Sequence, residues 1–139
     1  MTSFAPAIRA RLWAGALADG TGCWPWQRAT SRGYGQLSIN GTVCSAHRTA
    51  YEIVKGPIPD GLQIDHLCRN TRCINPDHME AVTARVNTLR GNNPPAVNAR
   101  KTHCKRGHEF VADNTVRTAK GRECRQCRND NQRLARSRA

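Results

Sequence analysis

Two short Cys/His pairs near the C-terminus constrain this chain more than any other feature. Cys104-Lys-Arg-Gly-His108 and Cys124-Arg-Gln-Cys127 stand fifteen residues apart, giving C-x3-H…C-x2-C. Two close donor pairs on separate turns offer three thiolates and one imidazole with little loop strain, the donor set of a closed tetrahedral Zn2+ site. Four protein ligands leave no position for water, so such a site holds a fold and does not react. His103 adjoins the first pair, but His108 has the better spacing. The rest of the composition makes a staple of this kind necessary. Only 22 of 139 residues are Val, Ile, Leu or Phe, about 16%, which is below the range in which a packed core suffices. A net charge of +12 opposes compaction further. Metal binding is the expected compensation.

The charge is uneven. Residues 1–90 carry a net +4 and residues 91–139 a net +8. A basic C-terminal region on a basic body predicts a polyanionic partner, with nucleic acid the first candidate. No apolar run is long enough for a membrane span or a signal peptide, since Arg9 and Arg11 interrupt the N-terminal stretch. The chain is therefore expected in a cytoplasm, where paired thiols bind metal more often than they form disulfides.

Local patterns outline the elements. Ile8, Leu12, Trp13 and Leu17 have helical spacing over residues 5–17. Short strand-like runs follow at 23–27, 35–39 and 42–46, the last two joined by Asn40-Gly41, a two-residue hairpin turn. A helix is predicted over 46–55, ended by Gly56-Pro57. A strand ending in Asp65-His66, an irregular loop and a second strand over 78–82 come next. Thr83 then caps a helix that ends at Arg90-Gly91. Residues 92–101 read as a linker, 102–128 as the Cys/His module and 129–139 as a basic tail, helical or disordered. Trp13, Trp24, Trp26 and Cys44 are assigned to the core.

The strand–loop–strand–helix segment gathers chemistry. Hydrolysis of a phosphodiester needs an activated water, a cation on crowded oxygens and a rigid mount for both. His66 at the mouth of the hairpin can take a proton from water. The Asp65 carboxylate and the Asn87 carboxamide can hold one hard divalent ion, leaving its other positions to water and phosphate. The run Ile64-Asp-His-Leu-Cys-Arg-Asn-Thr-Arg-Cys-Ile-Asn-Pro-Asp-His-Met-Glu-Ala-Val-Thr83, with Ala46-His-Arg48, Gly56-Pro-Ile-Pro-Asp-Gly61 and Asn87, resembles the HNH endonucleases common in bacteriophages. Cys23-Trp-Pro-Trp26, Gly33-Tyr-Gly35 and the C-terminal module fit the same resemblance, which covers about residues 12–128.

The resemblance implies an α+β fold. A ββα-metal core over about 61–91 lies in a nuclease domain spanning 1–91, preceded by a short helix and a hairpin and followed by the zinc module. It implies that Asp65 and Asn87 bind a catalytic Mg2+ or Mn2+ and that His66 is the general base. Asn75 and His78 take supporting catalytic roles, orienting the base or bracing the loop. Val86 stands where relatives carry Glu, so the reciprocal capping box with Thr83 is missing. The implied partner is double-stranded DNA, nicked or cut through by a monomer or a homodimer, as in homing or other phage functions. Arg48, Lys105, Arg106, Arg122, Arg125 and Arg128 are the candidate phosphate contacts. Cys68, Cys73, His78 and Cys23 are either a second zinc site or, for the thiols, small apolar packing groups, so one or two structural Zn2+ are expected. The competing readings are a non-catalytic, zinc-stabilised DNA-binding protein and an RNA-binding module.

Overall fold

A computed structural model describes residues 4–138; residues 1–3 of the expected N-terminal domain and residue 139 of the expected tail lie outside the described residues. The fold is α+β. It divides into two compact units, residues 1–88 and 89–139.

The first unit opens with α1 (Pro6–Trp13), started by a proline whose missing N–H a helix end does not need. Residues 23–27 do not form the expected strand. They make only isolated bridges, Ala16 to Trp26 and Pro25 to Cys73, because Pro25 lacks the N–H that a continuous ladder requires. A three-stranded antiparallel sheet follows, with β1 (Thr30–Ser31), β2 (Tyr34–Ile39) and β3 (Thr42–Ser45) in that order. Asn40 and Gly41 have φ of 49° and 82°. This left-handed pair matches strand twist in a two-residue turn and sets Ile39 opposite Thr42.

Helix α2 (Ala46–Lys55) ends at Gly56, whose φ of 89° few other residues would adopt. Then β4 (Leu62–His66) pairs antiparallel with β5 (Met79–Thr83), setting Asp65 opposite Glu80 and His66 opposite Met79. Helix α3 (Ala84–Arg90) completes the ββα unit, and Thr83 Oγ1 accepts from the Val86 N–H at 3.3 Å. The cap itself therefore forms without the reciprocal glutamate.

The core of this unit is small: Leu12, Trp26, Leu37, Ala46, Ala50, Ile64, Ile74 and Met79. Its centre is Trp26, fully buried, with Nε1 donating to the Ala29 carbonyl at 3.0 Å. Gly15 and Gly35 lie against opposite parts of the indole. A Cβ on Gly35 would fall 2.7 Å from Cγ, and one on Gly15 would overlap Cζ3. Gly35→Ala is accordingly expected to destabilise this unit by about 1–3 kcal/mol through overpacking, read as a lowered urea midpoint at unchanged m-value. Trp13 and Trp24 are only half-buried and meet edge-to-face at 5.9 Å. Cys44, expected in the core, is half-buried on the hairpin, where Thr42 O accepts its thiol.

The second unit contains α4 (Pro94–Arg100), so the segment read as a linker is helical. Loop-like composition concealed a helix start: Asn93 Oδ1 accepts from the Ala96 N–H at 3.0 Å, and Pro94 occupies the first helical position. Strands β6 (Thr115–Thr118) and β7 (Gly121–Cys124) form a hairpin that leads into α5 (Arg125–Arg136). The tail is thus helical through Arg136. Among the described residues of this unit only Ala96 and Cys124 are buried. No helix among the described residues is long and apolar enough to cross a membrane.

Candidate active site and metal clusters

Asp65 and His66 lie at the end of β4, both buried, at 3% and 6% exposure. Gln63 and Asp65 share one face of the strand because side chains alternate. The Asn87 carboxamide, from α3, donates to Gln63 Oε1 at 3.1 Å on that face. The Asp65 carboxylate receives the Arg69 guanidinium at 2.7 Å. Sequence reasoning passed over Arg69. A four-residue offset signals an ion pair only on a helix, whereas here a loop residue with φ of 61° makes the contact.

His66 donates from Nε2 to the Cys73 carbonyl at 3.1 Å. A carbonyl can only accept, so this bond fixes the neutral tautomer with its lone pair on Nδ1. Burial lowers the imidazole's pKa below its usual value, while the Cys73 carbonyl and Asp65 act in the raising sense. The neutral form is therefore favoured, and the carboxylate acts electrostatically on the ring. Two further rings flank it. His47 lies 4.9 Å away and Tyr34 6.0 Å, centroid to centroid. Burial holds His47 down to about 3, and its buried Nδ1 has no hydrogen-bond partner. Both residues belong to motifs visible in the sequence, but spacing carried no sign that they surround His66.

Among the described residues no side-chain hydrogen bond joins Asn75 or His78 to His66. Asn75 Oδ1 accepts from the Asp77 N–H at 3.0 Å, and its Nδ2 donates to the Gly22 carbonyl at 2.8 Å, tying the loop to the N-terminal segment. His78 directs Nδ1 to Cys23 Sγ at 3.4 Å and Cys73 Sγ at 3.8 Å. Of the two supporting roles expected for them, these bonds correspond to bracing the loop. Their part of the chain forms a 3-10 turn (Pro76–His78), which carries the imidazole to the thiols and away from the base.

Cys23, Cys68, Cys73 and His78 bring their donor atoms within 4.8 Å of one another, and so do Cys104, His108, Cys124 and Cys127. Each group could hold a metal ion. A tetrahedral ion bonded at about 2.3 Å to sulfur and 2.0–2.1 Å to nitrogen sets edges of about 3.8 Å between sulfurs and 3.6 Å between sulfur and nitrogen. In the second group Cys104 and Cys127 are 3.7 Å apart, and His108 Nδ1 lies 3.6 Å from both Cys104 and Cys124 and 3.2 Å from Cys127. Three of these four edges match the tetrahedral spacing, and the fourth is short by about 0.4 Å. The Cys124 thiol is lowered to about 6, chiefly by the Cys127 backbone N–H, as a thiolate ligand requires. Burial, with the neighbouring Cys23 and Cys73 sulfurs, pushes Cys68 up to about 11, a cost that a cation among the thiols would relieve. His103 bonds Thr102 instead, outside the group.

The candidate phosphate contacts divide. Arg48, Lys105, Arg106, Arg125 and Arg128 are exposed. Arg122 is engaged within the fold: it stacks on Phe110 at 4.0 Å and donates to the Asn98 and Lys101 carbonyls at 2.7 and 2.8 Å. These bonds join α4 to β7.

A ββα unit with a buried Asp-His pair on its first strand defines the class. Residues 44–89 match the family model described as HNH endonuclease. The resemblance read from the sequence therefore holds over the segment carrying Asp65, His66, Asn75, His78 and Asn87. The chain is also similar to three phage proteins. "Protein 7.7" of Escherichia phage T7 is 37% identical over 67 residues, 48% of this chain and 52% of the relative. "Protein 2.8" of the same phage is 36% identical over 86 residues, 60% of this chain and 55% of the relative. "Uncharacterized gene 5.3 protein" of Enterobacteria phage T3 is 44% identical over 46 residues, 33% of this chain and 46% of the relative. The chain spans about half the length of the curated relatives it matches. No solved structure matches it.

Proposed function

We propose that this chain is a metal-dependent endonuclease that hydrolyses phosphodiester bonds in double-stranded DNA. The observation carrying this reading is the Nε2–H bond of buried His66 to the Cys73 carbonyl, which leaves Nδ1 as a proton acceptor. His66 takes the proton of the attacking water at Nδ1, and the fixed carbonyl stabilises the imidazolium that results. Asp65 and Asn87 would hold one divalent ion, Mg2+ or Mn2+. When bound, it supplies positive charge against the phosphate and the departing 3′ oxygen. The donors suit such an ion, since a carboxylate and a carboxamide oxygen are both hard ligands; the ion would take the place of the Arg69 guanidinium as the charge that compensates buried Asp65.

The Cys/His groups are proposed as two structural Zn2+ sites. Cys73 gives the first of them a second consequence. Its sulfur belongs to the cluster and its carbonyl holds the base, so ordering the loop orders His66.

Supercoiled plasmid should be nicked or linearised with Mg2+ or Mn2+ and left intact in EDTA. Duplex binding without cleavage in any divalent ion would identify a non-catalytic DNA-binding protein instead. Protein purified without chelator should carry two zinc ions per chain by native mass spectrometry, falling to one in Cys23→Ser. One ion in the unaltered chain would show that Cys23, Cys68 and Cys73 pack as free thiols.

A further inference from the structure

Helix α5 presents a stripe that neither the cleavage site nor the metal cluster uses. Arg125, Asn129, Gln132 and Arg136 are separated by four, three and four residues, which at 3.6 residues per turn sets them on one side of the helix. Cys127 pins the same helix to the cluster. Asn129 lies two residues beyond it, about 200° around the axis, so the stripe faces away from the pinned side. All four side chains are exposed, and among the described residues none makes a hydrogen bond. Neighbouring polar groups differ: Asn131 accepts from Arg106 at 3.2 Å, and Asn114 is bonded to Cys124 and Glu109. Asp130, the helix's one acid, lies off the stripe.

We infer that α5 docks in the major groove of duplex DNA and reads base edges with Arg125, Asn129, Gln132 and Arg136. This rests on the proposal that DNA is the substrate. It adds base reading to the phosphate contacts expected of the C-terminal module. Charge complementarity selects the partner, because α5 also carries Arg128 and Arg133. The residue types select the groove. Phosphate binding needs only cations, whereas arginine pairs bidentately with guanine, and asparagine and glutamine pair bidentately with adenine. Asparagine is also a poor helix former, and Asn129 stands in mid-helix with no bond to the fold. From Arg125 to Arg136 the helix rises about 17 Å, the length of about five base-pair steps, and its width suits a groove about 12 Å wide.

The test is selection from a duplex library with twelve randomised base pairs, using the full zinc-loaded chain carrying His66→Ala so that DNA stays intact. A motif of about four to five base pairs should be enriched. Asn129→Ala and Gln132→Ala, at exposed positions, should each relax one or two positions of it. Each should weaken binding to the selected duplex about 10-fold, with affinity for poly(dI-dC) kept within about 2-fold. Arg128→Ala should instead weaken both duplexes alike. Enrichment of no motif, a motif unchanged in the Asn129→Ala/Gln132→Ala double variant, or preference for RNA of the same length would each overturn the assignment. The readout is binding, so it is separable from the nuclease reading. A chain that selects a motif through α5 but cleaves nothing leaves the groove assignment standing, and a nuclease that selects none removes it.

Discussion

Replacing His66 with alanine is expected to slow plasmid cleavage by about 10²–10⁴-fold, the range associated with a positioned general base. The argument is local. Its Nε2–H is held by the Cys73 carbonyl, its ring is walled by His47 and Tyr34, and burial favours its neutral form. Alanine removes the proton acceptor and leaves β4 paired with β5 through backbone bonds that do not involve the ring. Single-turnover cleavage at saturating protein separates this from weakened binding: the rate should fall while the apparent Kd for the plasmid stays within about 2-fold. An unchanged rate would remove His66 as the base. A matched loss of rate and of thermal stability would assign the ring a structural role.

Cys104→Ser should have the largest effect on folding. The unit over residues 89–139 buries only Ala96 and Cys124 among its described residues, too little apolar surface to offset the entropy of ordering a hairpin and two helices. Structural zinc contributes about 10–16 kcal/mol to small domains of this kind, so loss of one ligand is expected to unfold the unit outright. Limited proteolysis should cleave rapidly at the many Lys and Arg between residues 100 and 138, and the far-ultraviolet helical signal of α5 should disappear. The unit over residues 1–88 should remain protease-resistant around its Trp26-centred core. A chelator should reproduce the pattern, and a resistant Cys104→Ser chain would show that the unit folds without metal.

These expectations draw differently on sequence and on fold. The hairpin at Asn40-Gly41 and the limits of α2 were legible because each is written in a few adjacent residues: a left-handed pair between two strands, and a glycine stop after a periodic helix. The C-terminal donor set was legible for the same reason. Its ligands come as two close pairs, and close pairs have few ways to be arranged. The strand expected at 23–27 and the loop-like conformation read at 92–101 misled because composition was asked to do the work of hydrogen bonding. Pro25 removed a donor from the first, and the Asn93 cap turned loop-like residues into a helix in the second.

The candidate site divides along the same line. Residue identity and spacing along one short span were enough to single out Asp65, His66 and Asn87, and to resemble a family whose model matches residues 44–89. Tertiary structure alone brought Cys23 beside Cys68, Cys73 and His78, set His47 and Tyr34 around His66, and turned Arg122 inward onto Phe110. The physical reason is chain reversal. Chemistry carried by neighbouring residues is fixed once their local geometry is fixed. Contacts between distant segments depend on how sheets and loops pack, and no spacing records that.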